Sequence, residues 1–208
     1  HITFDDGLAC QELAFPLLRK YRRTGIFLIN NKNLMNVHSA TINRLGAEFY
    51  PTLFSWIDPL YLNLMPETFL AEYPFYTRNE RLYRYYRDYT NPKEHDRFLA
   101  ELFIEDDIRS SIDPQLIVAE GHILGLHSAT HPRRMDLMKP HEQFDEWMEN
   151  LAMVKQYQPE VHYASYPMGR YNQVTKEILT MIGIQVAYTS SSYTNGVMEY
   201  PRKDIHEK

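Results

Sequence analysis

The feature that most constrains the fold is a five-residue run, Gly25-Ile26-Phe27-Leu28-Ile29, in which four apolar side chains follow one another without alternation. A strand with one wet face alternates apolar and polar residues, whereas a parallel strand covered on both faces does not. Upstream, His1-Ile2-Thr3-Phe4-Asp5-Asp6-Gly7 reads as another short strand, ending in two acids and a glycine. Between the two, Leu8, Leu13, Leu17, Leu18 and Tyr21 recur at roughly helical spacing. Arg19, Lys20, Arg22 and Arg23 gather toward the end of that segment, where basic side chains suit the negative end of a helix dipole. Pro16 inside the pattern predicts a kink or two short helices. Strand, helix, strand at this spacing is a βα unit, so the expected fold class is α/β.

The same grammar returns late in the chain. His122-Ile123-Leu124-Gly125-Leu126 leads into His127-Ser128-Ala129-Thr130-His131-Pro132, and His162-Tyr163-Ala164-Ser165-Tyr166 runs into Pro167-Met168-Gly169. Between these strands, residues 140–157 place Phe144, Trp147, Met148, Leu151 and Val154 at amphipathic spacing. A helix from Val174 to Ile182 is stopped by Gly183, and Ile184 to Tyr188 and Arg202 to His206 are the last expected strands. Residues 33–120 hold no comparable strand apart from a stretch near Phe49 to Phe54. They read as helices between proline turns, with Asn91-Pro92 and Asp113-Pro114 as caps, the second opening a short helix that Gly121 ends. We take 1–208 as one domain carrying a mainly helical insertion over approximately 46–115. In that insertion Arg78, Arg81, Arg84 and Arg87 interleave with Tyr83, Tyr85, Tyr86 and Tyr89, which fits either a sugar-stacking face or a packed helix with solvated arginines.

Composition excludes several classes. The net charge of −5 argues against a nucleic-acid footprint, which needs a basic face. The lone Cys10 rules out an intramolecular disulfide framework. No apolar run approaches the ~18–20 residues of a membrane span and no signal peptide is recognisable, which leaves cytoplasmic, periplasmic and extracellular placement open.

The chemistry lies where the strands end. Asp5 and Asp6 cannot both lie unpaired in a core, because a buried carboxylate without a partner is very costly. An acidic turn would account for them, and so would a cation held by one while the other faces a wet cleft. His127 and His131, four apart, make a claw for a divalent ion, though two structural histidines would look the same. Ser128 stands where a zinc protease of that spacing needs glutamate, so that reading is rejected. One Asp and two His form a two-His, one-carboxylate set with positions left open, and the remaining Asp is free to act as a base. Sites of this kind hydrolyse esters or amides by activating water.

These residues resemble the polysaccharide deacetylase family, the NodB-homology carbohydrate esterases. Thr3-Phe4-Asp5-Asp6-Gly7 is similar to that family's first motif, His127-Ser128-Ala129-Thr130-His131-Pro132 to its second, and Ser165-Tyr166-Pro167-Met168-Gly169 to its third. The likeness covers about residues 1–32 and 115–208. It implies a distorted (β/α) barrel and removal of N-acetyl groups, less readily O-acetyl groups, from an acetylated sugar or polysaccharide. It implies Asp5 as general base and Asp6, His127 and His131 as ligands of a divalent metal, zinc first, with cobalt, nickel or iron suiting the same set. The amide of Met168 would help hold the oxyanion.

Three departures stand out. Ser165 occupies the place of an arginine that tethers the catalytic Asp, with Arg170, Arg133 and Arg202 as candidate replacements. The Asp-Trp fourth motif is not recognisable. The final Leu-x-His is replaced by Asp204-Ile205-His206, making His206 the nearest general acid, with His38, His122, His141 and His162 as alternatives. A catalytically weak or inactive carbohydrate-binding relative is therefore the second reading. Oligomeric state is not legible.

Overall fold

A computed structural model describes residues 1–31, 111–190 and 196–203. They belong to one compact unit, formed by His1–Met35 with Arg109–Lys208; residues 36–108 make up the other. The expected insertion therefore lies outside the described residues apart from 111–115, as do the arginine and tyrosine cluster at 78–89, His38 and His206.

Five strands form one sheet: β1 (Ile2–Asp5), β2 (Gly25–Ile29), β3 (Ile123–Leu126), β4 (Tyr163–Ser165) and β5 (Val186–Tyr188). Every pairing is parallel and the spatial order follows the chain. An unreversed order of this kind is that of a barrel and not of a doubly wound sheet, whose order switches direction. The sheet curls far enough that the His1 ring meets those of Tyr163 and Tyr188, with centroids 5.7 and 6.1 Å apart. Beyond β5 the chain returns to the sheet, where Tyr200 bridges in parallel to Tyr188 and its N–H donates to the Ala187 carbonyl at 2.9 Å. The architecture is the expected distorted (β/α) barrel.

The unbroken apolar run behaves as its pattern requires. Phe27 and Ile29 join Leu124, Leu126, Ala164 and Ala187 in the core under the helices, while Ile26 and Leu28 pack with Tyr188 on the opposite face. Full burial of Phe27 or Leu28 stabilises the fold by ~1.5–3 kcal/mol each.

Between β1 and β2 the chain forms two short helices, a 3-10 turn over Ala9–Ala14 and α1 over Phe15–Lys20 with Pro16 in its first turn. Changing from three residues per turn to 3.6 shifts the phase of the apolar stripe. Phe15 and Leu18 are buried as a result, whereas Leu13, Leu17 and Tyr21 of the expected face are exposed. Further along, α2 (Pro114–Ala119) is capped by the Asp113 carboxylate, which accepts from Gln115 N at 2.8 Å. α3 (Pro140–Val154) buries Trp147, Leu151 and Val154 as expected, but its inner face also takes in the polar Gln143 and Asn150. Phe144 and Met148 point outward instead. α4 (Gln173–Met181) is capped by Asn172, whose side chain accepts from Thr175 N at 3.1 Å. No helix among the described residues is long and apolar enough to cross a membrane.

Candidate metal and catalytic site

The carboxyl ends of β1, β3 and β4 place the motif residues together. Asp6 leaves β1 in the left-handed region, at φ 76°, followed by Gly7 at φ 62°. Two successive left-handed residues break the alternation of the strand, so both Asp5 and Asp6 reach one site. His127 follows directly on β3. The five residues from His127 to His131 are a loop and not a helical turn, with Ser128 at φ 61° and His131 at φ 57°. The two imidazoles thus converge by loop geometry, the rings meeting edge to face at 4.8 Å, and not by the stacking of a helix face. Non-glycine residues at positive φ are uncommon and concentrate where a structure over-determines them for function. Here Asp6, Ser128, His131 and Met168 all adopt it.

Asp6 Oδ1 lies 3.3 Å from Nε2 of His127 and 3.3 Å from Nε2 of His131. The three ligand atoms lie within 4.8 Å of one another. Donor atoms ~2.0–2.1 Å from a tetrahedral ion are themselves ~3.3–3.4 Å apart, so the observed spacing suits one. The tautomer of His127 suits it as well. Its Nδ1 faces the Ser165 carbonyl oxygen at 3.0 Å, an acceptor only, which makes Nδ1 the donor and leaves Nε2 to face Asp6, donating to its carboxylate while protonated and giving its lone pair to a cation once that proton is displaced. Ser165 Oγ, 2.7 Å from the same Nδ1, completes that anchor.

The electrostatics favour a cation. Burial opposes ionisation of Asp6, but its hydrogen bond to His127 and the charges of His127, His131 and Arg202 outweigh that and hold its carboxyl below the usual range. Burial likewise opposes a charge on His127, yet the Asp5 and Asp6 carboxylates raise it. Burial, reinforced by the charge of His127, drives His131 down to about 4, so that ring is neutral at pH 7 with a lone pair to give. The donor set and its charge fit a divalent ion.

Asp5 stands beside this group, with Oδ2 3.9 Å from His127 Nε2. Arg202 holds it with two hydrogen bonds, Nη1 to Oδ1 at 2.6 Å and Nη2 to Oδ2 at 2.7 Å. Among the three arginines that could replace the missing tether, Arg202 is thus the one paired to Asp5. Arg170 acts on Asp136, which Arg134 pairs at 2.8 Å, and Arg133 is buried near His131. Arg202 is itself fixed. Its Nε donates to the Thr189 carbonyl at 3.2 Å, and the Tyr166 hydroxyl donates to Met198 O at 2.7 Å, pinning the segment that delivers it. Lys176 bonds Glu199 at 2.9 Å in the same segment.

The third motif ends β4 in a short turn, Pro167–Gly169, with Met168 at φ 55° and partly exposed. Gly169 adopts φ 63°, a left-handed conformation that favours glycine, and a Cβ there would come 2.1 Å from Ser190 Oγ. The structure therefore brings together Asp5, Asp6, His127 and His131, and ties Ser165 to them. The described residues do not include His206. His122 sits away from the site, stacked on Phe27 at 5.6 Å with Phe15 tilted against it at 5.1 Å. Asn30, Asn31, Glu146 and Asn150, which bind the His127–His131 loop, were not anticipated; the only signal for them is polar residues at a strand end and on the inner stripe of an amphipathic helix.

Comparison with known proteins agrees with this geometry. The polysaccharide deacetylase family model matches residues 109–187, which include the second and third motifs but not the first. No curated protein matches the sequence. Among solved structures, the Streptococcus pyogenes deacetylase PplD in complex with acetate superposes with a TM-score of 0.55 at 14% identity, over 96% of this chain and 61% of that one. IcaB from Ammonifex degensii gives 0.52 at 14% identity, over 99% and 66%, and the BpsB deacetylase domain from Bordetella bronchiseptica 0.52 at 11%, over 96% and 68%. The chain thus spans about two thirds or less of the length of the first two. At such identity these likenesses speak for the fold, and the family match is a likeness of residues 109–187 to the polysaccharide deacetylases.

Proposed function

We propose that the chain is a metal-dependent hydrolase that removes N-acetyl groups from an amino-sugar polysaccharide or glycan precursor. The observation that carries this reading is the convergence of Asp6, His127 and His131 beside an Asp5 held in a bidentate arginine pair. A divalent ion held by those three residues, zinc first on donor type, supplies Lewis acidity that lowers the pKa of water and polarises an acyl oxygen. Asp5 takes a proton from the attacking water at its carboxylate, and Arg202 fixes the direction in which that carboxylate faces. The Met168 N–H, on a turn locked by Gly169, donates to the acyl oxygen as negative charge develops there. Protonation of the leaving amine falls to His206, assigned from its position in the sequence. Deacetylation accords with the likeness to PplD and to the BpsB domain, both deacetylases.

The test is acetate release from an N-acetylglucosamine oligomer together with metal analysis. One ion per chain and chelator-sensitive release are expected. Full metal occupancy in an Asp6→Ala, His127→Ala double variant would remove the ligand assignment.

A further inference from the structure

The loop that carries both histidine ligands is held through its backbone mainly by two elements that bear no ligand, α3 and the end of β2. His127 N donates to Asn150 Oδ1 at 2.9 Å. Ala129 N donates to the Glu146 carbonyl at 3.1 Å, and the Glu146 carboxylate accepts from Thr130 N at 2.9 Å and from Thr130 Oγ1 at 2.7 Å. Asn30, just past β2, donates to the His127 and Ser128 carbonyls, and Asn31 N donates to Ala129 O at 3.0 Å. Asn150 ties the two sides together, its Nδ2 donating to Ile29 O and to Asn31 Oδ1, both at 2.9 Å. The loop closes on itself where His131 N donates to Ser128 Oγ at 3.1 Å.

Asn150 is fully buried on the inner face of α3 beside Trp147, Leu151 and Val154, a position that is costly unless its amide is satisfied. It is satisfied entirely by this loop and the end of β2. Glu146, one turn earlier on α3, holds the next residues of the loop. Ser128 and His131 in left-handed conformations do not keep that shape unaided, since each costs of order 1–3 kcal/mol.

We propose that Glu146 and Asn150 of α3 are positioning residues that hold the His127–His131 loop in its ligating shape before the ion arrives, so that metal affinity is set from the helix. The proposal rests on the metal-site reading above. Without the clamp, the loop would have to order as the ion binds, and that ordering would be subtracted from the affinity. Outer partners of ligating histidines characteristically change metal affinity by ~10–100-fold.

The experiment measures zinc dissociation constants of the full chain by competition with a chromophoric chelator. Wild type is compared with Glu146→Ala, Glu146→Gln and Asn150→Ala, with thermal unfolding of the metal-free proteins as the fold control. Glu146→Ala and Asn150→Ala are expected to weaken zinc by about 10–100-fold. Glu146→Gln, which keeps an oxygen for Thr130 N, is expected to recover most of the loss, and turnover of all three should rise toward wild type as zinc is raised. If Asn150→Ala does not fold, the Glu146 pair decides the matter. Tight binding by wild type with equal constants in the folded variants overturns the inference and leaves the metal site standing. Absence of zinc binding by wild type overturns both.

Discussion

Arg202 and Asp5 lie 197 positions apart in sequence and meet in a two-bond pair, Nη1 to Oδ1 at 2.6 Å and Nη2 to Oδ2 at 2.7 Å. Paired fork to fork, a carboxylate is fixed in plane as well as in place. The same guanidinium reaches Thr3 Oγ1 at 3.3 Å and lies 5.7 Å from the Tyr188 ring centroid, so it links the strand that carries the acids to the far side of the curled sheet. In this chain the tether for Asp5 arrives from the carboxyl-terminal segment, and Ser165, at the motif position where an arginine was missed, anchors His127 instead.

That division of labour predicts distinct phenotypes. Arg202→Ala should keep the metal and lose turnover by about 10–100-fold, because a base displaced by even an ångström loses rate on that scale. Arg202→Lys should rescue only part of it, since an ammonium cannot form the planar two-bond pair. Metal content and acetate-release rates of the two variants check this.

Asp5→Asn should retain the ion, because the three ligands are untouched, while turnover falls by about 100-fold or more with loss of the base. Asp6→Ala should lose both metal and activity. Near-normal turnover in Asp5→Asn at full metal occupancy would remove the base assignment.

His122 predicts a pH dependence of stability that is separate from the site. Both of its ring nitrogens are buried without a hydrogen-bond partner. Burial, with Arg19 adding to it and Glu120 opposing, lowers its pKa below the ordinary 6.5. The unfolded chain therefore takes up a proton that the folded one refuses as pH falls below about 6.5, so the contribution of neutral His122 is present above that pH and is lost below it. His122→Phe, which keeps an aromatic ring against Phe15 and Phe27, should narrow the gap in Tm between pH 7.5 and pH 5 in the chelated protein. Thermal melts at the two pH values measure it.

Much of this was legible in the residues. Gly25 to Ile29 reads directly as a strand buried on both faces, and the acids and histidines at strand ends read as one site because parallel strands deliver their ends together. The replacement of the tether was not legible, because Arg202, Arg170 and Arg133 look alike until the curl of the sheet brings one of them to Asp5. Nor was the inner face of α3: Asn150 and Gln143 break an apolar pattern, and periodicity counts such residues as outward-facing. The exposed Leu13, Leu17 and Tyr21 show the same limit, since a 3-10 turn moves the stripe without altering composition.

The most direct measurement is the rate of acetate release from an N-acetylglucosamine oligomer before chelation, after it, and after zinc is restored. Release that stops with the chelator and returns with the ion is the predicted result. Release indifferent to chelation, or saturable binding of the oligomer with no acetate formed at any metal concentration, would contradict the account.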